Sequence, residues 1–110
     1  MAKSVVVQEK FRKYCAICGK PITEEHHLIG GRNRHLCDLD GLVMSLCNEH
    51  HTGSNCSAHH CKEFKRLCNM LAEVAWIKEQ YKEMCKQAGI EIPEEVLIGQ
   101  FISRYGENYL

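Results

Sequence analysis

The spacing of apolar side chains divides the chain into three regions of different character. Residues 1–14 form a short lead-in, whose apolar run Val5–Val7 is compatible with a strand at Ser4–Gln8. Residues 15–61 contain few large apolar side chains and most of the glycines, which predicts short strands and loops. Residues 62–110 repeat apolar positions with the period of an α-helix. A chain of this length corresponds to one domain, spanning residues 1–110.

The C-terminal region predicts two helices. The first should run from about His59 to Ala88 and end at Gly89, a residue that favours the conformation found after helix ends. One apolar stripe should pack this helix against the core. The stripe comprises Phe64, Leu67, Leu71, Val74, Ala75, Tyr81 and Cys85. The second helix should begin near Pro93 and end at Gly106. Its apolar face comprises Leu97, Ile98, Phe101, Ile102 and Tyr105.

Two segments of the middle region have the pattern of paired strands. These are Glu24–Ile29 and Leu42–Leu46, with a polar, glycine-containing loop between them. Strands this short are not stable alone, so a metal ion is the expected organiser of the region. The predicted fold class is therefore α+β, with a zinc knuckle, a β-hairpin and an α-helix followed by a C-terminal helix.

The composition directs attention to cysteine and histidine. The chain has eight cysteines and seven histidines, and six of the cysteines and all of the histidines lie within residues 15–61. A disulfide scaffold is the alternative. Three features favour a reducing compartment and metal binding instead. The C-terminal half is helical, the cysteines lie close to histidines, and Met1–Lys10 has no apolar signal segment. No stretch is long and apolar enough for a membrane span.

The charge balance restricts how the chain could contact a nucleic acid. Fourteen basic and fourteen acidic residues give a formal net charge of zero, so contact must come from a local basic patch. Arg32 and Arg34 in the loop between the strands form one candidate, and Lys62 and Lys65 near the helix start form another. Each pair could instead be part of an ordinary solvated surface.

A structural zinc site is predicted from two motifs of matching spacing. Cys15 and Cys18 can bind one tetrahedral ion. Gly19 allows the tight turn that directs backbone N–H groups at the sulfur atoms. Cys47 and His50 have the same spacing and complete a closed site of three cysteines and one histidine. The alternative is a redox-active cysteine pair, which would normally lie between a strand and a helix of an α/β domain.

Three His-His dipeptides suggest a second metal site with open positions. They are His26-His27, His50-His51 and His59-His60. If His50 belongs to the structural site, His51 is left to bind a second ion together with one histidine of the first pair. The alternatives are ordinary surface or core histidines, or a second structural zinc that uses Cys56 or Cys61.

The order of these motifs resembles the HNH (ββα-metal) endonucleases, and more closely the phage recombination-enhancement nucleases of that superfamily. The resemblance covers about residues 15–60. It rests on the CxxC motif, His26–Gly31, Asp40, Leu46–His51, Gly53 and His59. It implies a metal-dependent DNA endonuclease, encoded by a phage or mobile element and acting in the cytoplasm of a bacterial host.

The resemblance also implies a role for each matching residue. His27 would be the general base, and the catalytic ion, such as Mg²⁺, Mn²⁺, Ni²⁺ or Zn²⁺, would be bound by His26, His51 and His59. The Asn of the HNH name, which orients the loop or the base histidine by hydrogen bonding, would fall near Leu42 and is absent. Asp40 is expected to replace it.

Two alternatives follow from these assignments. Asn33 could serve from the loop in place of Asp40. The whole chain could also be a non-catalytic zinc module, an adaptor or inhibitor that binds DNA or a protein partner on the same scaffold.

Overall fold

A computed structural model describes residues 3–21, 23–89 and 91–110, and these form an α+β fold, as the sequence predicts. Two antiparallel strands are accompanied by helices and by two short 3₁₀ turns at Glu9–Phe11 and Gly31–Asn33. The strands are β1 (Glu24–His27) and β2 (Val43–Leu46). The helices are α1 (Arg34–Asp40), α2 (Asn48–His51), α3 (Lys62–Ala88) and α4 (Glu94–Tyr105). No helix in the described ranges combines the length and apolarity required to cross a bilayer.

The two strands confirm the predicted pairing. Glu24 lies opposite Leu46 and His27 lies opposite Val43, and β2 is buried along its whole length. One further backbone hydrogen bond joins Leu28 to Leu42 just beyond the strand ends. Successive side chains of a strand point to opposite faces. Glu24 and His26 therefore lie on one face of β1, and Glu25 and His27 lie on the other.

The lead-in is not a strand, contrary to the prediction for Ser4–Gln8. The Ser4 hydroxyl accepts hydrogen bonds from the N–H groups of Val6 and Val7, which a neighbouring strand would otherwise use. The segment crosses over Gly41, whose φ is +74°. A Cβ at this glycine would lie 2.6 Å from the carbonyl oxygen of Lys3, so the crossing requires glycine.

Helix α1 occupies the segment predicted to be a loop. It ends at Gly41, whose N–H donates to the Cys37 carbonyl. Cys37 is fully buried, and its thiol donates to the Ile29 carbonyl over 3.4 Å. Seven residues are too few to show a helical period, so the sequence pattern gave little indication of this helix.

The helices α3 and α4 pack against each other and add six buried apolar side chains to the core. Helix α3 begins at Lys62 and not at His59, because the preceding residues form a turn. Helix α4 agrees with the prediction, and its buried residues are spaced by four: Leu97, Phe101 and Tyr105. The Trp76 ring of α3 packs edge-on against Phe101 with ring centroids 5.7 Å apart.

The predicted apolar stripe of α3 is correct only in part: Phe64 and Ala75 pack against the core, but four of its seven residues are exposed. The helix packs through Cys68, Ala72 and Trp76, whereas Leu67 is 63% exposed and Val74 is 50% exposed. Small side chains at the first two of these positions let the helix approach its neighbours closely. The sequence pattern was dominated by the larger aliphatic residues, which face solvent.

An ion pair joins the end of α1 to the end of α4. The Arg104 guanidinium donates to both carboxylate oxygens of Asp40, over 2.6 and 2.8 Å. The Tyr105 hydroxyl donates to the same carboxylate over 2.6 Å, and Asn33 donates to the Tyr105 carbonyl. Burial, followed by the contact with Asp40, raises the pKa of Tyr105, so its hydroxyl stays a donor. Asp40 therefore joins α1 to α4 and stabilises the fold.

We expect Asp40→Ala to lower the free energy of unfolding by about 1–3 kcal/mol, because it leaves the Arg104 and Tyr105 donors without their acceptor. Denaturant unfolding measures this change. The matched control is Leu39→Ala, at a neighbouring side chain that is 73% exposed, which should change the stability by no more than about 0.5 kcal/mol. Equal stability of the two variants would contradict the assignment.

Candidate metal centres and active site

The structure brings together the four residues predicted to form the structural zinc site. The Sγ atoms of Cys18 and Cys47 are 3.7 Å apart, and His50 Nδ1 lies 3.2 Å from the Cys47 Sγ and 3.7 Å from the Cys15 Sγ. A tetrahedral zinc ion with Zn–S bonds of about 2.3 Å separates two sulfurs by about 3.8 Å. This Cys3His cluster could therefore hold a metal ion such as zinc.

Local backbone structure sets this geometry. The knuckle turns back on itself through hydrogen bonds between Cys15 and Lys20 and between Gly19 and Cys15. The Ala16 N–H donates to the Ser45 carbonyl of β2 over 2.9 Å, which fixes the knuckle to the sheet. Cys47 immediately follows β2, and the single turn of α2 then brings His50 beside it.

The environment of Cys15 favours its thiolate form. Burial raises the pKa, but backbone N–H groups, first that of Cys47 and then those of Cys18 and Ile17, outweigh it and lower the pKa of Cys15 to about 6. The thiolate is the form that binds metal ions. All eight cysteines are free of disulfide bonds.

A second cluster contains the three histidines predicted to bind the catalytic ion. His26, His51 and His59 each direct a ring nitrogen to one region, and the three atoms lie within 4.8 Å of one another. The Nε2 atoms of His51 and His59 are 3.1 Å apart. His26 is 6% exposed, and its Nδ1 has no hydrogen-bond partner in the described part of the chain.

An ion bound through that nitrogen would give it a partner. A buried polar atom without a partner costs about 1–3 kcal/mol, so such atoms are rare. Three imidazole nitrogens suit zinc, nickel and similar divalent ions, and leave further coordination positions open. This histidine cluster therefore has the donor set of a metal site that is not closed.

Three separate segments supply this cluster. His26 comes from β1, His51 from the last position of α2, and His59 from the loop that follows. The loop folds back along α2, since the Ala58 N–H donates to the His50 carbonyl over 2.7 Å and the His59 N–H donates to the His51 carbonyl over 3.1 Å. These two hydrogen bonds place His59 beside His51.

Glu24 orients one of the three rings. Its carboxylate accepts a hydrogen bond of 2.8 Å from His51 Nδ1. A carboxylate can only accept, so the proton is on Nδ1 and the Nε2 lone pair is available to a metal ion. Glu24 was not predicted as a site residue. Its position two residues before His26 on a strand was the available signal, because residues at this spacing lie on one face.

The electrostatics of the cluster keep the rings of His26 and His59 uncharged. Burial, and then the neighbouring histidines, lower the pKa of His26 to about 4. Burial and the contact with His51 also lower the pKa of His59. The hydrogen bond from His51 lowers the pKa of Glu24 and keeps it ionised. Neutral imidazole is the form that binds metal ions, so His26 and His59 are ready to bind at neutral pH.

His27, the predicted general base, lies outside this cluster on the other face of β1. Its Nε2 is 2.9 Å from a carboxylate oxygen of Asp38. The carboxylate of Asp40, predicted to replace the missing Asn, instead accepts hydrogen bonds from Arg104 and Tyr105. The side-chain amide of Asn33, the alternative, donates to the Tyr105 carbonyl. Asp38 was not predicted as a site residue, because it lies on α1, a helix that the sequence pattern did not indicate.

One cavity connects the base to the histidine cluster. It has a volume of about 260 Å³, and its walls include the three cluster histidines, His27, Arg34 and Lys65. A second, wider cavity of about 690 Å³ adjoins it and is lined by Lys62, Lys65 and Arg66. Three of the four predicted DNA-contact residues therefore lie on these walls. The fourth, Arg32, is exposed in the 3₁₀ turn and lines neither cavity.

Within the described parts of the chain, the atoms of Cys56, His60 and Cys61 that could bind a metal do not converge on one point. The nearest polar partner of Cys56 is the Ser54 hydroxyl at 3.1 Å, and the Cys61 thiol donates to Glu63. Among the described residues, no group of converging metal-binding atoms includes Cys56, Cys61 or His60.

Comparisons with protein-family models, curated proteins and solved structures each found no match.

We expect the chain to bind two zinc ions, one in each cluster, as counted by mass spectrometry of acid-digested protein after gel filtration. The variant His59→Ala should lower the count by one, because it removes a ligand of the open site and leaves the Cys3His cluster intact. His60→Ala, at the adjacent exposed histidine, should keep both ions. A count that does not change in His59→Ala would contradict the second site.

Proposed function

We propose that this protein is a metal-dependent DNA endonuclease of the HNH (ββα-metal) type. The observation that carries the proposal is a histidine held by a carboxylate, His27 with Asp38, in the same cavity as a three-histidine cluster. The order of the sequence motifs supports it independently. The Cys3His cluster would hold a structural zinc ion, since its four donors leave no position for a substrate.

The histidine cluster would hold the catalytic ion. Bound by His26, His51 and His59, a divalent cation would stabilise the negative charge that develops on the phosphate during hydrolysis. The unpartnered nitrogen of His26 and the orientation of His51 by Glu24 both fit this use.

His27 would act as the general base. The unprotonated nitrogen of its ring would accept a proton from a water molecule, whose oxygen then forms a bond to phosphorus. The bond between phosphorus and the 3′ oxygen breaks, and the leaving oxygen takes a proton from solvent. Histidine is the side chain most often used for such proton transfer at neutral pH. Its place on the face of β1 opposite His26 separates the two tasks.

Basic side chains near the cavities would hold the nucleic acid. Arg34 and Lys65 flank the histidine cluster, and Lys62 and Lys65 continue along the wider cavity. Side chains of this kind contact phosphate groups and position the strand without reading its sequence. Arg32 could reach the same strand from the 3₁₀ turn. The zero net charge of the chain makes this local patch the expected contact surface.

A second candidate function is supported by the solvent face of α3. Leu67, Leu71, Val74 and Tyr81 are each at least 38% exposed and follow one another along the helix. An exposed apolar stripe of this kind fits a protein partner. On this reading, the chain is a non-catalytic zinc module that acts as an adaptor or inhibitor.

We expect the purified protein to nick supercoiled plasmid DNA in the presence of Mg²⁺, Mn²⁺ or Ni²⁺. His27→Ala should lower the rate by about 10²–10⁴-fold, which is the usual contribution of general acid–base catalysis. The rate is measured from the conversion of supercoiled to open-circular plasmid.

The matched control is His60→Ala, which removes an exposed histidine that belongs to neither cluster and should cleave at the wild-type rate. If the wild type holds two metal ions and cleaves with none of the three cations, the non-catalytic function is the better account.

A further inference from the structure

We infer that Asp38 is a positioning residue for His27, selecting Nδ1 of that ring as the atom that takes the proton from water. This inference rests on the proposed nuclease function. Asp38 then has the role predicted for Asp40, which is to orient the base histidine by a hydrogen bond, and Nδ1 is the ring atom that accepts the proton.

The hydrogen bond between the two side chains fixes the tautomer of His27. Nε2 of the ring and Oδ1 of Asp38 are 2.9 Å apart. A carboxylate oxygen accepts, so Nε2 of His27 is the donor in this hydrogen bond. Nδ1 then carries the lone pair. The side chain of His27 is only 19% exposed, which leaves the ring little freedom to adopt another orientation.

Asp38 is itself held between two anchors on α1. Cys37, the preceding residue, is fully buried and donates to the Ile29 carbonyl. Two residues further on, Asp40 is bound by Arg104 and Tyr105 of α4. The carboxylate of Asp38 therefore extends from a backbone that is fixed on both sides. A residue that orients a catalytic group requires this kind of rigid support.

A cation site is the competing role for the same atoms. Glu25 lies within 4.8 Å of both His27 and Asp38, so the three residues could together hold an ion. However, the Arg12 guanidinium is 4.0 Å from the Glu25 carboxylate and already supplies a positive charge there. The contact between His27 and Asp38 also has the length of an ordinary hydrogen bond and needs no ion to explain it.

The test compares Asp38→Ala with Asp38→Asn and with the control Leu39→Ala, which is exposed on the same helix. We expect Asp38→Ala to lower kcat for plasmid nicking by about 10–100-fold, a part of the usual contribution of a general base, with little change in KM. Asp38→Asn should retain more activity, because its amide oxygen can still accept from Nε2. Leu39→Ala should cleave at the wild-type rate.

The same variants are examined by ¹⁵N NMR of zinc-loaded protein, which reports which ring nitrogen of His27 carries the proton. The wild type should show the proton on Nε2, and Asp38→Ala should show a mixture of the two tautomers. Thermal unfolding of Asp38→Ala should match that of Leu39→Ala, which separates positioning from a loss of folding.

Two results would overturn the inference. One is an unchanged kcat together with an unchanged tautomer in Asp38→Ala. The other is the loss of one bound metal ion in that variant, which would make the group a cation site. If the wild type does not cleave DNA at all, the nuclease function fails, and the tautomer measurement still decides whether Asp38 orients His27.

Discussion

The pairing of β1 with β2 fixes the positions of both candidate metal clusters and of the proposed base. Each strand has only four residues, yet β1 carries His26 on one face and His27 on the other. The end of β2 leads directly into Cys47, and its Ser45 carbonyl holds the zinc knuckle in place. A shift of one residue in this pairing would exchange the two faces and move both histidines to the wrong side.

So short a sheet is not stable by its own hydrogen bonds, and two kinds of support surround it. The first is the core beneath it, where Trp76 and Phe101 join α3 to α4 and the Asp40 ion pair joins α4 to α1. The second is the two clusters, each of which draws together segments that are distant in sequence. Because the ligands of a metal site are not preassembled in an unfolded chain, binding an ion there would contribute directly to folding stability.

Features that depend on local sequence could be predicted, and those that depend on tertiary partners could not. The spacing of Cys15, Cys18, Cys47 and His50 indicated the first cluster, and the His-His pairs indicated the second. Helix α1 was missed because seven residues give no clear period, and Asp38 was missed with it. The packing face of α3 was predicted incorrectly because burial depends on the neighbouring elements, which the sequence pattern does not show. The small side chains of Cys68 and Ala72 let these elements pack closer to the helix than leucine side chains would.

His26, His51 and His59 are assigned to metal binding and His27 to proton transfer. Anomalous X-ray diffraction at the zinc absorption edge distinguishes these roles. Crystals of the zinc-loaded protein should give one strong peak inside the Cys3His cluster. A second should lie among His26, His51 and His59, with no zinc on His27 and with the His27 ring facing Asp38 through Nε2. A second peak bound to His27, or no peak in the histidine cluster, would contradict the account.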